Sequence, residues 1–183
     1  MDFNPEKLKE NVAEYILYMY QIEDLVRAYD LNIDLIMTNF VNLQIEDETK
    51  AEESKVWFTE VVKQMIFQRI EKTGHLQEIT ELLIELSYLH NILMNVSQDE
   101  RYRKLFEIAL PFINEFKERS NVKDKNEIEV SFHALYMKLL LKLQRKEISK
   151  ESEEAFDAMR NILAYLSTAY AKMKSGQLDF LNN

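Results

Sequence analysis

Apolar residues recur along this chain at spacings of three and four, interrupted by short polar stretches, a pattern that predicts helices from end to end. In the first segment Leu8, Val12, Tyr15, Met19, Ile22 and Val26 form one stripe, which Ile16, Tyr20 and Leu25 widen. Asn4 as N-cap and Pro5 at the first helical position give this helix its expected start. Asp30 and Asn32 then punctuate the chain before a short helix over about residues 33–43. An acidic run from Glu46 to Glu53 opens a third helix, because negative side chains suit the partial positive charge of a helix N-terminus. Its inward set is Trp57, Phe58, Val61, Val62, Met65 and Ile66, and Gly74 is its expected stop.

The fourth helix carries two seams. One runs through Leu76, Ile79, Leu83, Leu86, His90 and Leu93; the other through Leu82, Leu86, Leu89, Leu93 and Val96. Shared members make a wide apolar face, the mark of a central helix. Ser97-Gln98-Asp99-Glu100 reads as a capping box that starts a fifth helix, running to about Arg119 with Leu105, Ala109, Phe112 and Phe116 inward. Pro111 lacks an amide donor, so a kink or break is expected near it. Asp124-Lys125-Asn126-Glu127 resembles another capped start, for a helix burying Ile128, Phe132, Leu135, Leu139 and Leu143. Ser149 caps the seventh helix, whose Phe156, Met159, Leu163, Leu166, Tyr170 and Met173 repeat at three and four. Gly176 ends it and leaves a short tail over about 177–183.

Only two glycines and two prolines occur in 183 residues, too few for the turns a sheet protein needs. The expectation is an all-α fold: a single domain over 1–183, a mostly antiparallel bundle of about seven helices joined by short connections. No fixed-period repeat or long linker argues otherwise.

Composition narrows the chemistry. The absence of cysteine removes disulfides, thiolate metal sites and cysteine nucleophiles, and fits a reducing compartment. A net charge of -9 repels a phosphate backbone, so no nucleic-acid partner is expected. The one basic cluster, Lys142, Arg145 and Lys146 with Lys150 nearby, sits at a helix C-terminus, where it complements the dipole. No apolar run approaches the roughly 18–20 residues of a membrane span, and MDFNPEKLKE lacks a signal-peptide core. A cytoplasmic protein without membrane contact is the expectation.

Catalytic parts are mostly missing. Two glycines cannot build a phosphate loop, and no G-x-S-x-G elbow occurs. Glu129 and His133 share a helix face but fall short of a di-metal site, and Glu78, Glu81 and Glu85 read as a solvated acidic face. Glu151, Glu154 and Asp157 read as first-turn acids. No cofactor, metal or catalytic residue is therefore assigned. His90 stands out because it lies on an apolar seam and needs a partner, which Glu23 or Asp24 would supply if their helices pack together. His75, at the Gly74 junction, could line a pocket or cap a helix end. Glu23, Asp24, His75 and His90 are thus the candidate pocket residues. Tyr15, Tyr18 and Tyr20 point in several directions around the first helix, as core residues or as one exposed anchor for a partner.

Three segments, KENVAEYILYMYQIEDLVRAYDLNID from Lys9, TGHLQEI from Thr73 and FHALYMKLLLKLQRKEIS from Phe132, together resemble a family of short bacterial proteins classed as a domain of unknown function. The resemblance covers nearly the whole chain and implies a bacterial cytoplasmic protein without a defined activity. The expected function is a non-enzymatic helical protein acting through association with a protein partner or with itself, in the latter case as a homodimer. The alternative is a small-ligand-binding or hydrolytic bundle built on an internal Glu23, Asp24 and His90 cluster.

Overall fold

The computed structural model describes residues 10–177. Among them are seven α-helices and no strand: α1 (Val12–Ala28), α2 (Ile33–Ile36), α3 (Glu48–Phe67), α4 (Gln77–Asn91), α5 (Glu100–Arg119), α6 (Glu127–Leu143) and α7 (Lys150–Lys174). The protein is an all-α helical bundle. Asn4, Pro5, the stripe member Leu8 and nearly all of the tail lie outside the described residues. Glu10 and Asn11 form a turn and bend, and α1 starts only at Val12, so the expected helix does not run unbroken from Pro5. Two stretches widen into π-helix, Met37–Val41 after α2 and Ile92–Val96 after α4. Each closes with an i→i+5 bond, from the Asn42 N–H to the Met37 carbonyl at 2.9 Å and from the Ser97 N–H to the Ile92 carbonyl at 3.0 Å.

The described chain forms two compact units. Unit 1 is residues 18–81 and unit 2 is residues 10–17 with 82–177, so α1 and α4 each contribute to both. Unit 1 buries Tyr20, Ile22, Val26, Phe58, Met65 and Ile79. All three tyrosines of α1 are core residues, and so is Ile16, so its wide face packs inward and offers no exposed anchor. In unit 2, α5, α6 and α7 pack against one another pairwise. Their connections, 120–126 and 144–149, are short, which sets successive helices antiparallel. Leu86, Tyr102, Ile113, Phe132, Ile162 and Leu166 fill this core.

Several helix ends fall elsewhere than the sequence suggests. Asp99, not Ser97, caps α5: its Oδ1 accepts from the Tyr102 N–H at 2.8 Å. The π-turn carries the chain through Val96, Ser97 is spent on the Ile92 carbonyl, and Gln98 turns at φ +49°, so Asp99 is the first residue free to cap. The capping box lies at Asn126 and Glu129 rather than at Asp124, and each side chain bonds the other residue's backbone N–H. Ser149 caps α7 as expected, and Gly176 (φ +70°) closes it. Gly74 does not stop α3, which ends seven residues earlier, where Arg69 takes the left-handed conformation at φ +59°. α5 is unbroken through Pro111. Pro111 and Glu107, whose carbonyl the proline leaves without its amide partner, are both exposed, so water can serve that carbonyl.

Three residues expected inside face outward: Ile66, Leu143 and Val96. For Ile66 and Leu143 the place is the last turn of α3 and α6, where fewer neighbours remain to cover them. Val96 is displaced by the π-turn. With about 4.4 residues per turn instead of 3.6, the turn rotates Val96 by roughly 70° off the Leu89–Leu93 seam.

Candidate functional site

Four polar residues stood out in the sequence, and the structure gives each a specific partner. Glu23 is fully buried on α1. A carboxylate in that position needs its lone pairs satisfied. Its Oε1 accepts the Leu76 N–H at 2.8 Å, and its Oε2 lies 2.6 Å from His75 Nδ1. The His75 ring stacks on Tyr20, centroids 3.9 Å apart and nearly parallel. One turn along α1, Arg27 donates to the Ile70 carbonyl at 3.2 Å and the Gly74 carbonyl at 2.5 Å while pairing with Asp24 at 3.0 Å. Glu23 and Arg27 thus fasten the 68–76 connection to α1 from two points. Structure brings Glu23 together with His75, and it puts Asp24 on the exposed side as the counterion of Arg27.

A carboxylate on Nδ1 favours the tautomer with its proton there and makes Nε2 the acceptor nitrogen. That is the arrangement of an oriented base, and the His75 side chain keeps 23% of its surface exposed. The same bonds also serve a plain structural purpose, holding the start of α4.

His90 belongs to unit 2 and has a different partner. Its Nδ1 lies 2.7 Å from the hydroxyl of the buried Tyr102, with the Phe106 ring 4.7 Å away. Burial holds its pKa below the usual histidine value, against a weaker upward pull from Glu127, so the imidazole is neutral at pH 7. Burial also pushes the Tyr102 hydroxyl up, keeping it protonated. Nearby, Tyr165 donates to Asp99 Oδ2 at 2.7 Å; burial and that carboxylate push its pKa up to about 12. Asp99 and Tyr165, but neither His90 nor Tyr102, border a groove of about 730 Å³ that Arg101, Thr168 and Lys172 also line. Its inner polar groups are spent on one another: Asp99 on Tyr165 and on the α5 N-terminus, and Arg101 over the Tyr165 ring at 5.9 Å.

Glu85, Glu129 and Asp157 are likewise committed. Glu85 bonds Lys174 at 2.8 Å and Tyr170 at 2.5 Å, and these contacts hold its carboxyl below the usual range. Glu129 is used in the capping box and by Lys125 at 3.0 Å. Asp157 meets Lys138 at 3.3 Å and Arg160 at 3.4 Å. Among the described residues no three His, Asp or Glu side chains are grouped to hold a metal ion.

The most unusual surface is apolar. Ile84, Tyr88 and Val96 are 64%, 66% and 67% exposed, and Ile92 between them is half-buried. They follow one another at spacing four. In a pure α-helix such a row drifts by about 40° per step, but the π-turn from Ile92 to Val96 reverses the drift. All four therefore stay within an arc of roughly 80°, forming one ridge of unit 2. The signal was in the sequence: residues 86–98 contain no Asp, Glu, Lys or Arg, whereas 30% charge would place about four there. The Leu82–Val96 seam conceals it, because that spacing places Val96 in the core. The exposed Val56, Ile66 and Phe67 of α3 differ, because Lys55, Glu60 and Lys63 are interleaved with them.

No helix among the described residues is long and apolar enough to cross a membrane. No curated protein and no solved structure matches the chain. Residues 1–177 match the family described as Domain of unknown function (DUF4924), and over that span the chain belongs to it.

Proposed function

We propose that this chain is a non-enzymatic cytoplasmic protein that works by association, with the Ile84–Tyr88–Ile92–Val96 ridge as its contact surface. The ridge carries the reading. Isolated exposed apolar residues are ordinary on a protein surface, but an ordered row whose last three members, Tyr88, Ile92 and Val96, lie in a charge-free stretch has the composition of an interface core. The cysteine-free composition fits a reducing compartment. It also supplies the test. A Val96→Cys variant carries the chain's only thiol, and Val56→Cys, at an equally exposed position of α3, is the control. In concentrated extracts of overexpressing bacteria, with the protein well above micromolar, Val96→Cys is expected to react with a maleimide several-fold more slowly than Val56→Cys. Equal rates would remove the ridge as a contact surface.

A second reading, a hydrolytic or ligand-binding bundle, draws on one observation, the Glu23-oriented His75 beside the Tyr20 ring. It predicts that His75→Gln leaves the fold intact and abolishes binding of a ligand that protects the wild-type chain from unfolding. Loss of stability from that substitution, with no ligand found to protect the wild type, would leave only the structural role.

A further inference from the structure

We infer that the occupant of the α4 ridge is a second copy of this chain, docked ridge against ridge about a two-fold axis. This inference rests on the association reading above and names its partner. Each copy carries -9, so two copies repel on average, and a neutral face approaches its own image at the least electrostatic cost. The ridge is such a face. Ser87, Asn91 and Asn95 beside it are neutral, and His90 is neutral at pH 7. Of the two acids at its start, Glu85 is paired with Lys174 and Tyr170, and Glu81, one turn before the ridge, accepts from Gln77 at 2.7 Å and keeps its charge. An acidic partner would find nothing along the ridge to attract it, and a basic one only Glu81 at its edge.

Spacing supplies the geometry. From Ile84 to Ile92 the row is the fourth-position ridge used in the commonest helix packing, in which two such rows interdigitate at a crossing angle near -50°. One self-complementary row on each copy satisfies the requirement of a two-fold interface, where the same patch serves both sides. From Ile84 to Val96 the ridge runs about 18 Å along the helix. Its four side chains and neutral neighbours offer on the order of 400 Å² per copy, about half of what a standard stable interface buries. The dimer is therefore weak and concentration-dependent, with dissociation in the micromolar range or above.

Sedimentation velocity on the full-length chain across a wide concentration series tests this. The wild type is expected to pass from monomer to dimer as concentration rises. Tyr88→Glu places an acid on both copies at the centre of the contact and should weaken dimerisation by on the order of tenfold or more, with an unchanged helical circular dichroism spectrum. Lys55→Glu, on α3, should weaken it far less. A wild type that stays monomeric throughout, or a Tyr88→Glu variant that dimerises like the wild type, would overturn the proposal. The two readings separate cleanly: a protected Val96→Cys in extract alongside a monomeric pure protein means that another molecule covers the ridge. Fast labelling in extract removes the association reading itself.

Discussion

Glu23 and Asp24 are neighbours in sequence and opposites in environment, and the difference sets what each contributes. Both oxygens of buried Glu23 are bonded, to the Leu76 N–H and to His75 Nδ1, whereas Asp24 makes a half-exposed pair with Arg27. Glu23→Gln keeps one acceptor for Leu76 and loses the charge-assisted bond to His75. It is expected to cost about 1–3 kcal/mol in urea unfolding, against about 0–1 kcal/mol for Asp24→Asn. Equal losses would mean that the 68–76 connection is not held through Glu23. The sequence exposed these residues as candidates but not their partners. A histidine on an apolar seam announces that it needs a hydrogen bond, and nothing in the spacing says whether a carboxylate or a tyrosine hydroxyl supplies it. His90 found Tyr102, twelve residues on, across a helix end. His75 reached Glu23 because Arg27 folds its connection back onto α1 through carbonyls, and backbone acceptors leave no trace in side-chain identity.

At the scale of elements, helices were legible and their ends less so. Periodicity located all seven because burial of a stripe follows directly from spacing. The ends depend on single residues entering left-handed conformation, and there the usual guide, glycine, is nearly absent. Asp30, Arg69, Arg145 and Gly176 each lie just past a helix at φ between +51° and +70°. In each case their own N–H and the next one return to the helix in the Schellman pattern, as in Arg145 N–H to the Lys142 carbonyl and Lys146 N–H to the Leu141 carbonyl, both 3.0 Å. A side chain in that conformation carries a strain of about 1 kcal/mol that glycine escapes. Arg145 is exposed, so replacing it disturbs little else. Arg145→Gly should therefore stabilise the protein by about 0.5–1 kcal/mol and raise its melting temperature by roughly 1–4 °C. A lowered melting temperature would show that the Arg145 side chain does more than tolerate its backbone. The same scarcity of glycine makes Gly74 look like the stop of α3, although Arg69 already ends it. At the start of α5, Ser97 was passed over because a π-turn, invisible to a pattern built on 3.6 residues, moved the first free capping position to Asp99.

Over the whole molecule two quantities compete: an apolar ridge that favours contact with its own image, and a net charge of -9 that opposes it. The charge-free run 86–98 could be read from sequence, but its exposure could not, since that depends on how far the π-turn rotates Val96. The competition has a measurable sign. Added sodium chloride shortens the Debye length from about 10 Å at 0.1 M to about 3 Å at 1 M, which screens repulsion between two acidic bodies. An apolar contact loses nothing by this. Dimerisation through the ridge should therefore tighten several-fold over that range, as read by sedimentation. An interface held by surface ion pairs would respond in the opposite direction, because screening removes its attraction. Weakening with salt would accordingly reject the ridge in favour of a charged contact, and it would do so even if a dimer were found.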